Sequence, residues 1–161
     1  MVTQASTAPK ARAGALTRAG AVAAVVIVVD QLTKAAIRSG IALGEQHKFL
    51  PGVQLVHVKN TGVAFSLLSG GGALVLVSTL TALVALVGYL AWRPGRPYLW
   101  LPTGLLIGGA IGNLIDRIAG GAVTDFIKLP LWPAFNVADM SITFGVLALL
   151  WVLEGPRMNA R

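Results

Sequence analysis

Apolar residues in this chain come in blocks much longer than the stripe that a surface helix turns toward a soluble core. Gly72 to Ala91 is 20 consecutive residues without a charge, and Leu99 to Ile115 is another 17. A helix needs roughly 20 such residues to cross the ~30 Å hydrocarbon core of a bilayer, so both blocks predict spans. Two further blocks end at an acid. Ala19 to Val29 meets Asp30 after 11 residues, and Met140 to Leu153 supplies 14 uncharged residues directly after Asp139. Each is long enough only if its aspartate lies on the helix close to a membrane face. The pattern therefore predicts four helices, over residues 17–38, 72–92, 99–118 and 136–153, joined by loops at 39–71, 93–98 and 119–135.

Between the helices the pattern changes. Val53-Gln54-Leu55-Val56-His57-Val58 is rich in β-branched residues and stops at Asn60-Thr61-Gly62, which predicts a short strand and a turn, with 63–68 returning as a second strand or a surface helix. Gly120, Gly121, Pro130 and Pro133 break the later loop too often for a long helix, and Trp132 and Phe135 mark the headgroup level. Residues 1–15 read as a disordered cytoplasmic tail, 16–155 as a single membrane domain and 156–161 as a second tail. The fold class is an all-α membrane protein of four transmembrane helices with a small extracytoplasmic β-element.

Composition strengthens this reading: 55% of residues are hydrophobic, 12% are charged, and the mean hydropathy is +0.75. For the first block the alternative is a cleaved signal peptide, since Lys10, Arg12 and Arg18 precede a short apolar stretch. Against it, Asp30 and Lys34 form an i,i+4 pair of favourable orientation, for which a cleavage end has no use. The net charge of +7 is scattered over tails and loops, so anionic lipid is the expected partner and nucleic acid is not. With no cysteine and two isolated histidines, His47 and His57, no thiolate chemistry and no metal site are expected.

Both termini fall on one side. That side carries seven basic residues against six elsewhere, while Asp30, Glu45, Asp116, Asp125 and Asp139 gather on the other and Glu154 alone stays with the termini. The basic excess only just follows the cytoplasmic preference of Lys and Arg, and the acids decide more clearly, so the termini are placed inside and the acid cluster outside. Gly104, Gly108 and Gly112 form a small-residue stripe for close helix packing that runs on into Asn113, Asp116 and Arg117.

Acids near hydrocarbon are costly and mark functional sites by default. Asp30 has Lys34 one turn away and Asp116 precedes Arg117, so structural ion pairs are the simpler reading for these two. Asp125 stands between apolar neighbours in Val123-Thr124-Asp125-Phe126. Asp139 stands in the first turn of the last helix, three residues after Asn136, a candidate N-cap. Two carboxylates brought together at a low-dielectric surface share a proton, and such a pair can activate water while donating to a carbonyl oxygen. The helix dipole favours negative charge on Asp139, which makes it the candidate initial base. The other possibility is a capping acid and a loop acid that never meet.

The blocks Asp30-Gln-Leu-Thr-Lys34, Asn60-Thr-Gly-Val-Ala-Phe65, Gly112-Asn-Leu-Ile-Asp-Arg117, Val123-Thr-Asp-Phe126 and Phe135-Asn-Val-Ala-Asp139, in this order, resemble bacterial lipoprotein signal peptidase, also called signal peptidase II. The resemblance implies four transmembrane helices with cytoplasmic termini, a β-cradle at the outer face and an aspartic peptidase site. It also implies a substrate: a diacylglyceryl-modified prolipoprotein, cut just before the lipidated cysteine by a monomeric enzyme of the bacterial cytoplasmic membrane without a cofactor. Asp125 and Asp139 match the catalytic dyad. Asn60, Gly62, Asn113, Arg117 and Asn136 match substrate-site or supporting positions, and Asp30, Lys34 and Asp116 match positions needed for integrity or activity. Met140 and the longer N-terminal tail depart from the usual pattern without touching the dyad. Two rival functions are a Ser/Lys signal peptidase using Ser66 or Ser69 with Lys59, and a small four-helix proton-coupled exporter using Asp30.

Overall fold

The computed structural model describes residues 7–61, 71–93 and 96–154. Among these, four helices and three strands follow in the order α1 (Thr7–Gly40), β1 (Gln46–Leu50), β2 (Val53–Asn60), α2 (Gly71–Trp92), α3 (Trp100–Gly120), β3 (Val123–Lys128) and α4 (Val137–Glu154). The expected return segment 63–68, with Gly62, Ser66 and Ser69, and the tail 156–161 lie outside the described residues.

α1 begins at Thr7, so residues 7–15 are helical and not part of a disordered tail. The physical reason lies in their composition: Ala, Lys and Arg are strong helix formers, and continuing an existing helix avoids the cost of nucleation. At 34 residues α1 is about 50 Å long, well beyond the hydrocarbon thickness. Among the described residues, α1 over Pro9–Gly40 and α4 over Val137–Glu154 are long and apolar enough to cross a membrane, and α2 adds the apolar stretch Leu83–Trp92. Their outer faces are oily: Val25, Val28 and Leu32 on α1 and Phe144, Leu147 and Trp151 on α4 are all exposed.

α3 is the central helix, packed against α1 on one side and α4 on the other. The glycine stripe makes this possible. A Cβ at Gly104 would lie 2.6 Å from the Ala19 carbonyl oxygen, and one at Gly108 would lie 2.9 Å from that of Ala23, so α1 approaches backbone to backbone. At the loop end, Arg96 donates from Nη2 to the Val152 and Leu153 carbonyls at 3.0 and 2.8 Å and from Nη1 to the Tyr89 hydroxyl at 3.0 Å. One guanidinium thus satisfies carbonyls that the end of α4 leaves open.

The sheet is antiparallel in the order β1-β2-β3. Val53–Val58 is a strand as expected and extends to Asn60. Its described partners, however, are β1 and β3, neither of which the hydrophobic pattern reveals. β1 is exposed throughout, so it carries no buried alternation, and β3 takes its order from long-range pairing. A local signal for the hairpin was present: Pro51-Gly52 follows the residue order of a type II turn, with Gly52 at φ 77°.

Candidate active site

β3 and the start of α4 are brought together by backbone pairing. After β3 the chain loops through 129–134 and returns so that Phe135 bridges Ile127, its N–H donating to the Ile127 carbonyl at 3.0 Å and its carbonyl accepting from the Ile127 N–H at 2.8 Å. Asn136, the next residue, is thereby set beside Asp125. It also begins α4: the Asp139 N–H donates to Asn136 Oδ1 at 2.9 Å, and the Asn136 N–H donates to Asp139 Oδ2 at 3.3 Å. This is a reciprocal capping box, and it fixes both side chains.

The Asn136 amide then reaches across. Its Nδ2 donates to Asp125 Oδ1 at 2.7 Å, while Asn60 Nδ2 donates to Asp125 Oδ2 at 3.0 Å. On the other carboxylate, Asn113 Nδ2 donates to Asp139 Oδ1 at 2.8 Å. Asp125 and Asp139 thus converge on one asparagine, with α3, β2, β3 and α4 each supplying a group. Asp125 is 2% exposed, whereas Asp139 is half-buried.

Behind this pair lies a buried ionic cluster. Lys34, with no exposed surface, sits 2.8 Å from Asp30 and 3.3 Å from Asp116 and donates to Asn113 Oδ1 at 3.0 Å. An ammonium only donates, so it fixes which end of the Asn113 amide it meets and leaves Nδ2 for Asp139. Asp30 Oδ1 accepts the Ala138 N–H at 2.9 Å in the first turn of α4, and Asp116 Oδ2 accepts the Thr124 N–H at 2.9 Å in β3. The cluster therefore anchors the two segments that carry Asp125 and Asp139. Gly112 makes room for it, since a Cβ there would lie 2.7 Å from Asp30 Oδ2.

The candidate residues separate accordingly. Asn60, Asn113 and Asn136 touch the carboxylate pair, and Asp30, Lys34 and Asp116 form the supporting cluster. Arg117 stands apart. It is exposed and its Nη1 donates only weakly, at 3.4 Å, to the Asn113 carbonyl of its own helix, while Asp116 pairs instead with Lys34 and Arg38. Sequence reasoning gave no role to Gln31, whose Nε2 bonds Asp30, Asp116 and the Gly112 carbonyl. It also missed Thr124, which accepts from Arg38 at 3.3 Å. Both lie inside the quoted blocks, which was the available signal.

Burial holds Asp125 above the ordinary carboxylate value of 3.8, at about 6. The Asn60 hydrogen bond acts against this, the charge of Asp139 adds to it, and Asn136 and Lys34 favour ionisation. A carboxyl so placed keeps its proton to a higher pH than a solvated one, and the second carboxyl nearby is one of the causes.

A family model described as Signal peptidase (SPase) II matches residues 22–154, most of the chain. The chain belongs to the signal peptidase II family. Relatives named lipoprotein signal peptidase include one from Moorella thermoacetica, 42% identical over 136 residues, covering 83% of this chain and 91% of that protein. Another, from Paraburkholderia phytofirmans, is 40% identical over 160 residues, covering 92% of each. A solved bacterial membrane enzyme superposes with a TM-score of 0.76 at 32% identity, covering 85% of this chain and 92% of that one, and a second does so at 0.74 and 29%. Family membership disfavours the exporter alternative, and Asp30, the residue an exporter would use, is sealed against Lys34.

Proposed function

We propose that this chain is an aspartic endopeptidase that removes the signal peptide from diacylglyceryl-modified prolipoproteins, cutting just before the lipidated cysteine, with Asp125 and Asp139 as the catalytic dyad. The observation that carries this reading is Asn136 bridging the two carboxylates, its side-chain Nδ2 donating to Asp125 Oδ1 and its backbone N–H to Asp139 Oδ2. Asp125, the more deeply buried, holds the shared proton and gives it to the carbonyl oxygen of the scissile bond. Asp139, reachable from solvent at the start of α4, takes a proton from the attacking water. After attack the roles reverse, and Asp139 returns its proton to the leaving amine.

Four membrane-crossing helices, termini in the cytoplasm and the dyad at the outer face of the bacterial cytoplasmic membrane complete the reading. A substrate anchored by an apolar helix and a lipid holds its cleavage site at that depth, and confinement to one layer supplies proximity. No metal or cofactor enters the reaction, and a monomer contains the whole site.

Purified protein should cleave a lipidated precursor peptide and leave the unmodified peptide intact, with peptide mass as the readout. Cleavage of both at equal rates would remove the lipid requirement, and cleavage of neither would remove the peptidase reading. The pH profile carries a second expectation. Because Asp125 acts in its acid form and titrates at about 6, kcat/KM should fall as pH rises above that value. Stability follows the same sign: between 3.8 and about 6 the folded chain holds a proton that the unfolded chain has lost, so this contribution is full below 3.8 and lost as pH rises. A rate that climbs steadily through pH 6 would contradict the assignment of the acid.

A further inference from the structure

One polar row crosses all three strands near the hairpin turn. Lys48 pairs with Gln54 across β1 and β2, and Gln54 pairs with Lys128 across β2 and β3. Directly opposite residues share a face with Cβ atoms roughly 5 Å apart, so the two lysine stems rise roughly 10 Å apart with an amide between them. Among the described residues neither lysine has an acidic partner, and Lys128 donates to the Trp132 carbonyl at 2.7 Å. A groove of about 640 Å³ opens here, lined by the row and by Leu50, Val53 and Leu129, with no acid in its wall.

Beside the row is an apolar rim. Phe49 and Leu50 are 60% and 58% exposed, Trp132 is 63% exposed, and Leu131 stands wholly clear of the protein. Leu131 adopts φ 60°, a backbone conformation that L side chains disfavour, and at that position its side chain meets no protein surface. Two cations and an amide beside protruding hydrocarbon match a ligand with one anionic group and acyl chains.

We propose that the Lys48–Gln54–Lys128 row binds the phosphate of an anionic glycerophospholipid whose acyl chains lie against the Leu131–Trp132 rim, seating the sheet on the leaflet. Inorganic phosphate gains nothing from the rim, and a zwitterionic lipid brings its own cation to two ammonium groups. The proposal rests on the membrane fold and is independent of the peptide chemistry.

The full chain in nanodiscs containing equal amounts of phosphatidylglycerol and phosphatidylcholine, released and weighed by native mass spectrometry, provides the test. Retained phosphatidylglycerol should exceed phosphatidylcholine on the order of ten-fold, and Lys48→Gln with Lys128→Gln should bring the ratio close to one. Trp132 locates the site: in a chain with Trp92, Trp100 and Trp151 changed to Phe, acyl-brominated phosphatidylglycerol should quench it more strongly than the choline lipid. Equal retention, a preference that survives the double substitution, equal quenching, or displacement by inorganic phosphate would each overturn the proposal. If the double variant fails to fold, the quenching comparison in the lysine-containing chain decides alone.

Discussion

Changing either Asp125 or Asp139 to asparagine is expected to lower cleavage of a lipidated precursor by on the order of 10⁴-fold or more, while the protein still inserts and folds. The amide has the shape of the carboxyl and keeps one acceptor oxygen. At 125 that oxygen still accepts from Asn136, and at 139 it still accepts either the Asn136 N–H or Asn113 Nδ2. One hydrogen bond is lost at each site, which costs about 1–3 kcal/mol when the orphaned donor is buried. The cost should be clearer at 139, because Lys34 prevents the Asn113 amide from turning. What disappears entirely is proton transfer, since an amide neither gives nor takes a proton at these pH values. Single-turnover cleavage of the purified variants, beside their detergent unfolding temperatures, checks both halves. Turnover within ten-fold of the parent in either variant would refute the dyad.

Lys34→Met should be the most destabilising single change in the buried cluster. Its ammonium is the cation shared by Asp30 and Asp116, all three being buried. Removing one partner from a buried ion pair leaves an uncompensated charge, typically at about 3–5 kcal/mol. Here two carboxylates lose the same partner, Asp30 its paired cation and Asp116 the nearer of two, with Arg38 at 3.6 Å remaining, and they hold the Ala138 and Thr124 backbones beside the dyad. Activity should therefore fall together with stability. Asp30→Asn should be milder, because the amide can still accept the Ala138 N–H and Lys34 keeps Asp116. Thermal unfolding in detergent ranks the two, and a Lys34→Met protein as stable as Asp30→Asn would show that the cation does not govern the cluster. Any folded fraction carries a further sign. Lys34 favours ionised Asp125, so its loss should move the high-pH fall in activity upward.

The four helices were legible because their apolar blocks are much longer than a strand and run without a charge. The Gly104, Gly108 and Gly112 stripe was legible as packing for the same kind of reason: glycine at intervals of four leaves a helix face on which another backbone can rest. β1 and β3 were less legible. An exposed strand such as Gln46–Leu50 has no buried alternation to display, and Val123–Lys128 is ordered by pairing with a strand some seventy residues earlier in the chain. Arg117 shows the opposite failure: adjacency to Asp116 suggested a pair, but on a helix successive side chains diverge, and Asp116 turns instead to Lys34 on another helix.

For the site, residue types and local spacing determined one half. Asn136 followed three residues later by Asp139 is a capping arrangement, and Asp30 with Lys34 one turn on is an ion pair; both are short-range geometry that any helix would enforce. That Asp125 meets Asp139 through Asn136 belongs to the tertiary structure alone. It depends on Phe135 returning to pair with Ile127 and on α3 presenting Asn113 between Lys34 and Asp139. The burial that lifts Asp125 to about 6 arises in the same way, because desolvation is a property of surroundings assembled from distant segments and is not written in the residues on either side.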